Sequence, residues 1–135
     1  MIYIRNKEYE AILGYCKQQL PEESCGLLGG RKEGKRCWVE KIYYLTNTEH
    51  SCEHFFMDPR EQLQAVKDMR SLGYLLLGNF HSHPNSPAIP SKEDARLAYD
   101  SKLHYLIVSL EREPLLKSFV LEDGALREEE ISILQ

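Results

Sequence analysis

The chain has 135 residues, 21 acidic against 17 basic, and a net charge of −4. That length predicts one domain, residues 1–135, able to bury a core without disulfides or a structural metal. The acidic balance and the lack of any basic run argue for no nucleic acid partner. The absence of a long apolar stretch or signal peptide argues for no membrane and a cytoplasmic protein.

Asn6 is read as the cap of a helix over 7–20, with Tyr9, Ile12, Leu13, Cys16 and Leu20 on one face. Pro21 stops it. The apolar run 25–29 predicts a buried strand, followed by a turn at 31–35 and a second strand over 36–45, a hairpin. A polar loop covers 46–53. Around it His50, Cys52 and His54 alternate, which raises a second metal site as the minor alternative to a plain loop. Asp58-Pro59-Arg60-Glu61 reads as a capping box with Pro at the first helical position. It opens a helix to about Leu72 that turns Leu63, Val66, Met69 and Leu72 inward. Past Gly73, residues 74–80 are apolar and too few for a helix, so they predict a buried strand that runs on to His83. Strands near 105–110 and 116–121, a turn at Asp123-Gly124 and a final strand over 126–134 complete the chain. Helices and strands are mixed, so the fold class is α/β, a mixed β-sheet flanked by helices. The four cysteines, Cys16, Cys25, Cys37 and Cys52, form no Cys-x-x-Cys and read as reduced thiols.

The most informative run begins at His81-Ser82-His83 and extends to Asp94. On a strand, side chains alternate faces, so His81 and His83 point the same way and can share one metal, while Ser82 faces the other side. Three prolines, Pro84, Pro87 and Pro90, stiffen the next segment. Ser91 then reads as a helix N-cap with Asp94 in the first turn, from where the carboxylate can face back toward the histidines. Two imidazoles and a carboxylate make three zinc ligands, with the fourth position left for water: the pattern of a catalytic site rather than a structural one. A carboxylate outside the ligand set normally handles the water's proton, and Glu22 or Glu23, at the mouth of the first strand, is placed to do so. Ser91 has a second possible role, donating a hydrogen bond to a developing oxyanion. Ser82 is left to packing or to support of the ligands.

The pattern carried by Glu23, His81, Ser82, His83, Pro84, Ser91 and Asp94 resembles the JAMM/MPN zinc metalloprotease family. The likeness runs along nearly the whole chain. It takes in residues 21–30, 56–59, 78–84 and 105–110. The resemblance implies that Glu23, three residues before Gly26, is the general base rather than Glu22. It implies that His81, His83 and Asp94 hold Zn2+, and that Ser91 steadies the tetrahedral intermediate. It implies a cytidine-deaminase-like fold and a segment before the central helix whose Phe55 and Phe56 line a groove for the substrate tail. The activity implied is hydrolysis of the amide or isopeptide bond after the C-terminal Gly of ubiquitin or a ubiquitin-like protein. The small stand-alone prokaryotic members act on sulfur-carrier proteins ending in Gly-Gly. A nucleoside deaminase is the competing enzyme reading, but it requires His-x-Glu and Pro-Cys-x-x-Cys, which this chain lacks. A non-catalytic scaffold is disfavoured because every ligand is present. Dependence on a partner stays open, as does the oligomeric state, with a homodimer carried as an expectation.

Overall fold

A computed structural model describes all of residues 1–135. The elements in order are β1 (Ile2–Arg5), α1 (Asn6–Gln18), β2 (Cys25–Glu33), β3 (Arg36–Leu45), α2 (Pro59–Leu72), β4 (Leu75–His83), α3 (Lys92–Leu97), β5 (His104–Ser109), β6 (Leu115–Glu122), β7 (Ala125–Glu129) and β8 (Ile131–Leu134). All eight strands form one mixed sheet in the order β7-β6-β5-β4-β2-β3-β1-β8. The α/β class agrees with the predicted mixture of elements. Most of the elements fall where the sequence pattern places them, and β3 matches its predicted span residue for residue.

The two longer helices, α1 and α2, cover opposite faces of the sheet. On one face α1 buries Ile12, Leu13 and Cys16 against Ile4, Leu28, Val39, Phe80, Leu106 and Val108. On the other, Ala65 and Met69 of α2 pack on Cys25, Leu27 and Leu45. Gly26 has no room for a side chain: a Cβ there would strike the Phe80 ring and the Tyr43 carbonyl.

Four expectations are corrected. Asn6 is already helical and caps nothing. The cap position is Arg5, without a side-chain cap bond, because β1 runs straight into α1; the helix ends at Gln18 and leaves Leu20 45% exposed. Asp58 does cap α2, accepting from Arg60 N and Glu61 N, but Glu61 does not reciprocate. Its carboxylate instead takes the Thr46 N–H and hydroxyl, each at 2.8 Å. Along α2, Leu63 and Leu72 are 57% and 49% exposed rather than inward. Residues spaced by three fall behind the helix by about 60° at each step, so a run from 63 to 72 turns about 180° and cannot hold one face. Finally, the predicted last strand is two. β7 pairs with β6 and β8 with β1, at opposite edges of the sheet, with Glu130 alone between them.

A buried polar chain crosses the interior of the sheet at the start of β5. Cys37 Sγ lies 3.2 Å from His104 Nε2, His104 Nδ1 lies 2.5 Å from Glu129 Oε2, and Ser118 Oγ donates to the same oxygen at 2.6 Å. Burial alone would raise the Glu129 carboxyl, but the bonds from His104 and Ser118 prevail and hold it low. Strands β3, β5, β6 and β7 are joined by this chain, and each buried group in it has a partner.

Candidate active site

The ladder between β2 and β4 sets Cys25 opposite His81. The Ser82 N–H bonds to Ser24 O at 3.0 Å, which carries the register further, so Glu23 comes opposite His83. Residues directly opposite each other share a face and sit about 5 Å apart at Cβ. His81, His83 and Glu23 therefore gather on the α2 side. Ser82 points to the other face, where its Oγ accepts the Ser24 N–H at 2.7 Å. It supports the two strands behind the histidines.

Asp94 arrives from α3. Ser91 Oγ accepts the Asp94 N–H at 3.0 Å and Asp94 Oδ2 accepts the Ser91 N–H at 2.9 Å, a complete capping box. The same Oδ2 lies 3.1 Å from His81 Nε2 and 3.2 Å from His83 Nε2, and the two Nε2 atoms are 3.2 Å apart. These three form the one cluster of metal-ligating side chains in the chain. The separations are those of donors around one tetrahedral ion with bonds of about 2.0–2.1 Å. His83 Nδ1 donates to Pro87 O at 2.9 Å, so in the neutral ring Nε2 carries the lone pair, and it faces the Nε2 of His81. Two imidazole nitrogens turned on one carboxylate oxygen suit a cation between them better than they suit each other.

The charges respond accordingly. Burial works to raise the Asp94 carboxyl, but His81, His83 and the Ser91 N–H hold it well below the usual range. Burial works to lower the His83 imidazole, yet Asp94 and the Pro87 carbonyl leave it raised. Glu23 is 5% exposed, and burial pushes its carboxyl up to about 7, with His83 opposing and Asp94 adding to the effect.

Glu23, His83, Ser91 and Asp94 line a cleft of about 290 Å³. Phe55 stands at its edge, stacked on His81 with ring centroids 4.7 Å apart. Phe56, the other expected groove residue, is 55% exposed and takes no part in the cleft wall. The alternating His50, Cys52 and His54 do not converge. His50 pairs with Glu22 at 3.0 Å and His54 with Glu93 at 2.8 Å, while Cys52 lies exposed at the cleft. Sequence reasoning missed Asn47. Its amide donates to Glu23 O and His54 O, and its oxygen accepts from Glu49 N and Phe56 N. One buried side chain thus fastens the segment bearing Phe55 to the backbone of Glu23. An Asn in a polar loop reads only as a turn former, and nothing nearby in sequence marks its partners.

A curled mixed sheet that brings two imidazoles and a carboxylate to one point, beside a buried glutamate, defines a hydrolase of the JAMM type. The family model for prokaryotic homologs of the JAB domain matches residues 5–122, and the chain belongs to that family. It is 30% identical over 138 residues to the CysO-cysteine peptidase of Mycobacterium tuberculosis (strain ATCC 25618 / H37Rv), covering 100% of this chain and 92% of that protein. It is also 30% identical over 125 residues to a probable TtuB-protein conjugate cleaving protease of Thermus thermophilus, covering 92% and 78%. A protein from Desulfitobacterium hafniense of known solution structure superposes with a TM-score of 0.91 at 53% identity, over 100% of this chain and 94% of that one.

Proposed function

We propose that this chain is a zinc-dependent peptidase that hydrolyses the amide or isopeptide bond after the C-terminal Gly of a ubiquitin-like or sulfur-carrier protein. The observation that carries the reading is the meeting of His81 Nε2, His83 Nε2 and Asp94 Oδ2, all within 3.2 Å of one another. Such a set leaves one corner of a tetrahedral ion free, as catalytic zinc sites do. When bound, the ion supplies a Lewis acid that brings the pKa of water toward about 7 and polarises a carbonyl.

The chain's own residues do the rest. Glu23 takes the proton of the attacking water and passes it to the departing nitrogen. With its carboxyl at about 7, it can accept and give a proton near neutral pH. The oxygen of Ser91 is engaged by the Asp94 N–H, which leaves its own proton for the oxyanion. Pro87 O fixes the His83 ring through Nδ1, and Phe55 holds the His81 ring by stacking. The net change is balanced. The water oxygen bonds to the carbonyl carbon, the C–N bond breaks, and the products are a carboxylate and an amine.

The relatives' names supply the substrate class: a CysO-cysteine peptidase and a probable TtuB-protein conjugate cleaving protease. Carried to this chain, they point to a carrier-protein conjugate whose departing group is either one amino acid or a protein. All five residues of the reading come from one chain, so no second copy is required, although a homodimer is compatible with it. We take residues 1–135 as one domain working in the cytoplasm, where Cys16, Cys25, Cys37 and Cys52 stay reduced. Metal analysis of the purified protein is expected to find one zinc per chain. The loaded protein is expected to cleave a conjugate joined through a Gly-Gly tail. Equal cleavage by metal-free protein would overturn the proposal.

A further inference from the structure

Between Leu75 and Phe80, strand β4 carries one polar side chain, Asn79. The strand runs inside the sheet, with Leu27 of β2 opposite Asn79 on one side and Tyr105 of β5 on the other. Asparagine is a poor strand former, and an apolar residue would pack better at such a place. The side chain is half-buried, and its carboxamide makes no hydrogen bond with the rest of the chain. A partly buried amide without partners costs stability, and a ligand that pairs with it recovers that cost.

Side chains alternate along the strand, so Asn79 shares the face of His81. With His81 and Asp94 it lines a groove of about 70 Å³, whose other walls include Leu97, Ile107 and Leu126. Tyr105 also lines the groove, but its hydroxyl is engaged by Asp100, whose N–H and carbonyl both lie at 3.2 Å. His81 and Asp94 are turned on each other. Asn79 is thus the polar side chain of the groove left for a ligand. Its carboxamide offers N–H donors and one oxygen acceptor, the complement of a peptide unit.

Resting on the amide-hydrolase reading above, we infer that Asn79 holds the substrate's main chain on the acyl side of the scissile bond, at the peptide unit that enters the penultimate residue. Glu23, which hands its proton to the departing nitrogen, lines the larger cleft and has no place in this groove, so the acyl half lies here. Asn79 stands two residues before His81, roughly 6–7 Å back along β4, and an extended tail covers the same distance in two residues. With the scissile carbonyl beside His81, the peptide unit level with Asn79 is the one whose N–H belongs to the penultimate residue. That N–H donates to the carboxamide oxygen, and the carbonyl before it accepts from the carboxamide nitrogen.

The test uses zinc-loaded wild type and Asn79→Leu, with two substrates joined to the Nε of a lysine blocked at both ends. One carries a tail peptide ending in Gly-Gly. In the other, glycolic acid replaces the penultimate glycine, so that an ester oxygen stands where the N–H was. Wild type is expected to lose about tenfold in kcat/KM on going from amide to ester, and the variant to lose about tenfold on the amide and little more on the ester. A second measurement needs no variant. The Asn79 side-chain amide resonances of the wild type are expected to shift when the free Gly-Gly tail peptide is added, and to shift less with the glycolyl peptide. An ester penalty that is undiminished in Asn79→Leu would overturn the inference. So would Asn79 resonances that stay still while those of His81 and His83 move. If wild type cuts neither substrate, the hydrolase reading falls, and this one with it.

Discussion

Replacing Glu23 with Gln separates the chemistry of this side chain from its cost to folding. In the metal-free chain, burial holds the Glu23 carboxyl at about 7 against an ordinary value of 4.5. The native state therefore binds this proton more tightly than the unfolded state. The stabilisation is complete below about 4.5, fades as pH rises through the interval, and is gone above about 7. At 1.36 kcal/mol for each tenfold, the swing is about 3 kcal/mol. Gln keeps the shape and cannot ionise, so the variant lacks this slope. Urea unfolding of the metal-free protein at pH 5 and pH 8, for wild type and Glu23→Gln, isolates the term, because every other titrating group is common to both. The variant is expected to gain about 2–3 kcal/mol on wild type between pH 5 and pH 8. With zinc restored, the variant is expected to keep its metal and to lose peptidase activity by about 10²- to 10⁴-fold. A stability difference that does not change with pH would mean that Glu23 is not the buried acid described here. Activity within tenfold of wild type would place the general base elsewhere.

Asp94→Asn removes a charged ligand but keeps a capping side chain. Zinc bound per chain is expected to fall close to zero by metal analysis, while the metal-free protein loses about 2–4 kcal/mol at neutral pH, because the charge that His81, His83 and the Ser91 N–H stabilise is gone. Asn47→Ala strands four hydrogen-bonding groups at the segment beside Glu23. A loss of about 2–4 kcal/mol in urea unfolding is expected, with a larger rise in KM than fall in kcat. Gly26→Ala drives a methyl into the Phe80 ring and the Tyr43 carbonyl. A loss of about 3 kcal/mol or more is expected, read as a fall in Tm of roughly 10 °C. Leu63→Gln alters an exposed residue and is expected to stay within about 0.5 kcal/mol of wild type.

The parts of this molecule that were legible in the sequence are those whose signals are local. Alternation along β4 places His81 and His83 on one face, and the Ser91 cap orients Asp94, all within fourteen residues. Hairpin, turn and helix starts are marked the same way. What escaped depends on residues distant in the chain. The Cys37–His104 contact joins positions 67 apart, and the Asn47–Glu23 bond joins positions 24 apart; neither leaves a nearby trace. The stacking of Phe55 on His81 depends on where a loop lands. The inward face of α2 was misread because its leucines keep a spacing of three rather than the alternating three and four of a true stripe. The ionisable cluster at 50–54 scattered because each histidine found a nearer glutamate.

The bend at Glu130 gives one nearly continuous stretch of chain to both rims of the sheet. A sheet laid out flat has two bare margins, each able to recruit a foreign strand. Here the margins are tied by a single peptide step, so the sheet cannot unroll without pulling β7 or β8 from its neighbour.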